Sequence, residues 1–356
     1  MMAQRIFRTT LAASLLCAAL LSASPIHAAL PGVPQHEAFV VTKVDANPDI
    51  AVRKVSFVRS NHIVLVGNLF LPPGFDEAKR YKTIVVVHPA GSVKEQSAGL
   101  YAYKLAQKGF VTLAYDSSYA GESGGEPYAA EMPYERVEDI RYAVDYLTTL
   151  PFVDEAAIGA LGICAGGGYV INAAQTERRI AAAAGVSAAD IGAANRLGWL
   201  NNRSVDEQIR LLEAISAQRT KEARGAPIER IYMCPEPDET TAPSFREGYD
   251  YYRTSRAYHP RADNLFLRRS QANKMAFSAV ENISLLTQPV LLVVGTQADS
   301  DWQTERFMKL MPGTNKSIVR IEGASHIDLY DKPEYTGPAA DALARFFSES
   351  LGGEAR

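Results

Sequence analysis

The chain has 356 residues, 47% hydrophobic and 22% charged, with a formal net charge of −3. That balance gives one large domain or two smaller ones ample apolar material for a core. The slight acidity argues against nucleic acid, whose binding rests on phosphate neutralisation, and against a polybasic membrane surface.

Arg5 and Arg8 precede the apolar run LAASLLCAALL (residues 11–21), and SASPIHAA follows. A basic stretch, a short apolar run and small residues describe a secretory signal over residues 1–28, with cleavage expected after Ala28. The run is shorter than the roughly 18–20 residues a membrane span needs, and Leu16 before Cys17 departs from a lipobox. The mature chain then carries 35 basic and 40 acidic residues. It is expected in the periplasm or outside the cell, with no membrane partner. Of its cysteines only Cys164 and Cys234 remain, enough for one disulfide in an oxidising compartment. There is no Cys-x-x-Cys, no His-Glu-x-x-His and no zinc-type spacing, so neither a metal nor another cofactor is implied.

Residues 29–52 read as a leader. Residues 53–60 and 62–72 alternate as a hairpin does. TIVVVH (83–88) is a continuous β-branched run, as in a strand buried on both faces. Helical spacing follows over 95–108, a buried strand over 111–116 and a helix over 134–150. Strands are expected again at 157–163, 180–187, 290–295 and 316–323, with a closing helix over 336–351. Strands alternating with helices predict an α/β fold with a mostly parallel sheet covered on both faces. Residues 190–286 break the alternation. They hold a helix near 204–219 and a tyrosine-rich tract, but no clear buried strand. We expect a cap insertion there, over a core of residues 53–189 and 287–351, because ligands of open α/β sheets bind beyond the strand ends.

IGALGICAGGGYVINAA (158–174) carries the chemistry. Gly162-Ile-Cys164-Ala-Gly166 follows a buried strand and opens a helix, the setting of a nucleophile elbow. The turn strains its central residue, and its neighbours two before and two after must be small. Cys164 is the expected nucleophile, at a helix N-terminus whose dipole lowers a thiol's pKa. His326, in a loop after the last strand, is the expected base. Asp299, four residues past the strand end at Gly295, is favoured as the acid over Asp301, with Asp328 an outsider. The backbone N–H groups of Ala165 and Ala90 should form the oxyanion hole, with Gly91 in reserve for the second, since Pro89 has no N–H. His88 reads as a loop-shaping residue. Gly91, Tyr119, Trp199, Tyr251 and Tyr252 are candidate pocket residues, with cap core as the alternative role of Tyr251 and Tyr252.

The order hairpin, HPAG loop, YDSSYAGESGG, Gly-x-Cys-x-Gly, Asp299 and His326 resembles the α/β-hydrolase superfamily. The chain is similar to its dienelactone-hydrolase-like branch, which uses a Cys-His-Asp triad. VKEQSAGLYAYKLAQKGFVTLAYD, GICAGGGYVINAA and EGASHIDLYDKPEY look closest to bacterial hydrolases of the YcjY type. The resemblance covers roughly residues 53–350 and implies acyl transfer to sulfur, then hydrolysis, on a small ester, thioester or lactone. An X-Pro peptidase-like amide hydrolase and a catalytically silent thiol sensor are the alternatives, and a homodimer is left open. The long cap departs from small dienelactone hydrolases.

Overall fold

The computed structural model describes residues 49–262 and 264–352; the expected signal and nearly all of the leader lie outside them. β1 (Ala51–Val58) and β2 (Val64–Leu71) form an antiparallel hairpin. It starts two residues before the predicted strand, because Ala51 and Val52 already pair with Leu71 and Phe70. β3 (Tyr81–Val87), β4 (Val111–Tyr115), β5 (Val153–Ile163), β6 (Ile180–Val186), β9 (Val290–Gly295) and β10 (Lys316–Ile321) complete an eight-stranded sheet. Its order is β1-β2-β4-β3-β5-β6-β9-β10, parallel from β4 onward. All five residues of β4 and all six of β9 are buried, which explains why these strands read as unbroken apolar runs.

Helix α1 (Ser97–Ala106) packs with α10 (Pro333–Ser350), and α2 (Pro133–Thr148) packs with α3 (Ala165–Thr176). α10 closes onto the sheet where β5 has no side chain: a Cβ on Gly159 would lie 2.7 Å from Phe347. The parallel core thereby points the C-terminal ends of β3, β5 and β9 at one edge, where the loops carrying Ala90, Cys164 and Asp299 emerge.

Between β6 and β9 the chain leaves the sheet. It forms α4 (Ile191–Leu197), α5 (Val205–Ala223), β7 (Arg230–Tyr232), α6 (Pro243–Arg253), β8 (Leu265–Leu267) and α7 (Ser270–Ala276). Asp190 caps α4 through the N–H groups of Gly192 and Ala193, and Ser204 with Glu207 forms a capping box on α5. β7 and β8 pair as a small antiparallel sheet that the sequence did not predict, since three-residue strands are too short for alternation to register. Two further helices, α8 (Asp301–Leu310) and α9 (Asp328–Asp331), follow β9 and β10. Among the described residues no helix is long and apolar enough to cross a membrane.

Candidate active site

Cys164 stands between β5 and α3 with φ = +53° and ψ = −121°, a backbone conformation that L-residues avoid. The turn is held closed from three sides. Cys164 N donates to Val186 O at 3.0 Å, and the N–H groups of Gly167 and Ala189 both donate to Cys164 O at 2.9 Å. The flanking glycines are steric requirements. A Cβ on Gly162 would sit 2.1 Å from Gly166 O, and one on Gly166 2.4 Å from Val87 O. Gly167 and Gly168 meet Ala188 and Ala189 in the same way, which is why a run of poor helix formers opens α3.

The thiol, on a residue 7% exposed, lines a cavity of about 220 Å³ together with Ala90, His326, Tyr330, Trp199 and Tyr252. Burial pushes its pKa up to about 11, against the opposing pull of the Tyr330 hydroxyl and the Ala165 N–H. This corrects the sequence expectation of a thiolate: the helix N-terminus is present, but desolvation outweighs it. His326 is buried too, and desolvation lowers its pKa to about 4, with the Asp299 charge opposing. Thiol and imidazole are therefore both neutral at pH 7.

The contacts of His326 differ from those of a simple triad. Its Nδ1 meets Ser300 Oγ at 2.6 Å, and its Nε2 meets Tyr330 Oη at 3.2 Å. Asp299 lies close enough to act on the imidazole electrostatically, but its hydrogen bonds go elsewhere. Its Oδ1 accepts from Trp199 Nε1 at 3.0 Å and from Ser244 Oγ, and its Oδ2 accepts from Ser244 N at 3.0 Å. Trp199 also sets its ring edge-on to His326, with centroids 5.1 Å apart. The histidine loop is fixed from below by Ser187, whose Oγ donates to His326 O at 3.1 Å. Asp301 points away, to Arg320 at 2.9 Å, and Asp328 is paired with Lys332.

Ala90 lines the cavity from the β3–α1 loop, and its N–H has no protein acceptor among the described residues. A buried network sets that loop. Arg136 donates to His88 O at 2.7 Å and pairs with Glu131 at 3.2 Å, and Tyr169 donates to Glu131 at 2.6 Å. Ser117 N donates to His88 Nε2 at 3.2 Å, so Nδ1 carries the proton and donates to Pro89 O at 2.7 Å. His88 is thus held as a loop strut. Nearby, Glu95, Asp116 and Glu122 form a three-carboxylate group with metal-like spacing. The Lys94 ammonium fills it, at 2.7, 2.7 and 2.8 Å from the three. Asp116 also accepts from the N–H groups of Lys94 and Glu122, and a Cβ on Gly121 would strike its carboxylate. The YDSSYAGESGG segment is this wrapped loop.

Three pocket candidates are corrected. Gly91 and Tyr119, both with positive φ, line a separate small crevice with His88 and Arg136. Tyr251 is core: it is fully buried, edge-on to Tyr252 at 4.8 Å and to Tyr330 at 5.2 Å. The sequence reading missed Tyr330, Ser300, Glu131, Arg136, Tyr169 and Lys274. Tyr330 sits in α9, four residues after His326, which lies in the turn leading into that helix.

The fold and this elbow-centred cavity define an α/β hydrolase. A family model, Alpha/beta hydrolase family, matches residues 84–337, and the chain belongs to that family. It is 45% identical over 303 residues to the uncharacterized protein YcjY of Escherichia coli K12, across 84% of this chain and 99% of that one. It is 36% identical over 309 residues to the uncharacterized protein PA2218 of Pseudomonas aeruginosa, across 84% of this chain and 81% of the other. The crystal structure of PA2218 superimposes with a TM-score of 0.81 at 34% identity, covering 86% of this chain and 95% of that one. Est1E from Butyrivibrio proteoclasticus, solved with ferulic acid bound, shares the fold at a TM-score of 0.59 and 20% identity, over 83% and 98% of the two chains.

Proposed function

We propose that the protein is an exported hydrolase that cleaves a small ester, thioester or lactone through an acyl-cysteine intermediate on Cys164. The observation that carries the reading is the strained elbow. A buried cysteine held at φ = +53° beside a neutral histidine has no structural need of that backbone. Export rests on the N-terminal signal-like segment, which lies outside the described residues.

In this reading the substrate carbonyl enters the cavity with its oxygen toward the N–H groups of Ala165 and Ala90. The Cys164 proton leaves as sulfur attacks, passing to His326 by way of the Tyr330 hydroxyl that stands between them. Ser300 holds the other imidazole nitrogen and thereby the tautomer, and Asp299, fixed by Trp199 and Ser244, stabilises the imidazolium electrostatically. His326 then protonates the leaving oxygen or sulfur, and a second cycle delivers water to the thioester. A buried thiol with a pKa near 11 argues against a redox sensor, which needs an accessible thiolate.

The test is turnover of p-nitrophenyl acetate and butyrate, with acid-quenched mass spectrometry of the wild-type protein during turnover. Wild type should turn over, Cys164→Ala should be inactive but folded, and the acyl mass should sit on Cys164. Full activity in Cys164→Ala, or an acyl group on another residue, would overturn the proposal.

A further inference from the structure

Lys274, on α7, is 3% exposed and lines the same cavity as Cys164 and His326. Its Nζ lies 3.4 Å from the centre of the Phe266 ring. That Nζ makes no hydrogen bond or ion pair with another of the described residues. The one carboxylate whose field reaches it, Glu131, is already held by Arg136 at 3.2 Å and Tyr169 at 2.6 Å. Arg203 lines the cavity as well, whereas no aspartate or glutamate does. Gln271, three residues earlier on α7, also faces the cavity, with its side-chain oxygen unpartnered. An ammonium buried against an aromatic face without a counter-ion is strongly disfavoured. Burial accordingly pulls its pKa down to about 7, with Glu131 opposing. A pocket with two cations and no anion is complementary to an anionic guest.

The direction of that guest follows from the site. The leaving group must lie toward His326, on the side of Ser300 and Tyr330. α7 docks on the segment before α2, with Glu131 N donating to Ser270 Oγ at 3.1 Å and Asn273 Nδ2 to Met132 Sδ at 2.9 Å. Arg136 ties that segment to the β3 loop, which lies on the opposite side of β5 from β10 and His326, so Lys274 enters from the side where the acyl chain extends. We infer that Lys274 receives a carboxylate at the far end of the acyl chain, and that the substrates are esters or thioesters of dicarboxylic acids. The inference rests on the acyl-hydrolase reading of Cys164.

The experiment compares kcat/KM for mono-p-nitrophenyl adipate and p-nitrophenyl hexanoate in wild type and Lys274→Met. Wild type should favour the adipate ester, and the substitution should lower the adipate-to-hexanoate ratio by about 10-fold or more, the loss of one charge-assisted hydrogen bond. General damage to the fold would lower both rates and leave the ratio alone. An equal ratio in the two proteins overturns the inference. If wild type hydrolyses neither ester, the acyl-hydrolase reading fails and binding decides the carboxylate site by itself. Calorimetry of monomethyl adipate and methyl hexanoate with Cys164→Ala should then show tighter adipate binding, lost on adding Lys274→Met. Equal binding of the two esters, or binding indifferent to Lys274, overturns it.

Discussion

The pKa of Cys164 decides how the site can be probed. With the thiol near 11 and His326 near 4, the proposed mechanism starts from the neutral pair. Raising the pH through the histidine pKa frees the base, so kcat/KM for p-nitrophenyl butyrate should climb on an acid limb centred near 4 rather than 6.5 and stay level to about pH 9. Alkylation by iodoacetamide, which needs the thiolate, should be slower than for a free cysteine and still rising above about pH 9. A plateau reached by pH 7 would mean a preformed thiolate instead. Tyr330→Phe keeps the ring packing against Tyr251 and Tyr252 and removes the hydroxyl between Cys164 and His326. It should lower kcat by about 10–100-fold, the range of lost proton-transfer assistance, with little change in KM or melting temperature. Asp299→Asn and Trp199→Phe should both lower kcat, while Asp301→Asn, which breaks only the Arg320 pair, should leave it within about two-fold.

At the scale of an element, the β5–α3 elbow tolerates no added atom. Gly166→Ala places a methyl 2.4 Å from a main-chain oxygen of β3, a neighbour that cannot rotate away. We expect it to lose about 2–4 kcal/mol in urea unfolding, at the upper end for overpacking. Gly337, inside α10, is the control, since a Cβ there meets nothing within 4 Å. Gly337→Ala should stabilise by up to about 1 kcal/mol through helix propensity and a less flexible unfolded chain. A loss at Gly337, or none at Gly166, would show that the steric account of these helices is wrong.

The cavity belongs to the whole molecule, since the sheet edge supplies Cys164, Ala90 and His326 while the insertion supplies Trp199, Met233 and Phe266. Met233→Ala should enlarge it and raise the octanoate-to-butyrate ratio of kcat/KM, a methylene in such a pocket being worth about 1–3 kcal/mol. Tyr251→Leu, buried beneath the cavity, should lower the melting temperature and leave that ratio unchanged. Cys164 and Cys234 are both free and buried against this cavity. Non-reducing peptide mapping of active protein should find no bridge between them, and a stoichiometric bridge would point to redox regulation.

The elbow was legible in the sequence because its demands are local. Small residues two before and two after a strained residue, a buried apolar strand ahead and a helix behind all lie within about a dozen positions. The order of Cys164, Asp299 and His326 was legible for the same reason, each following its own strand. What holds Asp299 was not, because Trp199 and Ser244 are 100 and 55 residues away in the chain. Tyr330 could not be placed between thiol and imidazole before α9 had packed against α1 and β9. Gly91 and Tyr119 were pocket candidates in the sequence, and only the fold places them on a separate crevice with His88 and Arg136. Nor could spacing reveal that the thiol is protonated. The helix N-terminus is a local feature, whereas desolvation sums over every element packed around the sulfur, and here the sum wins.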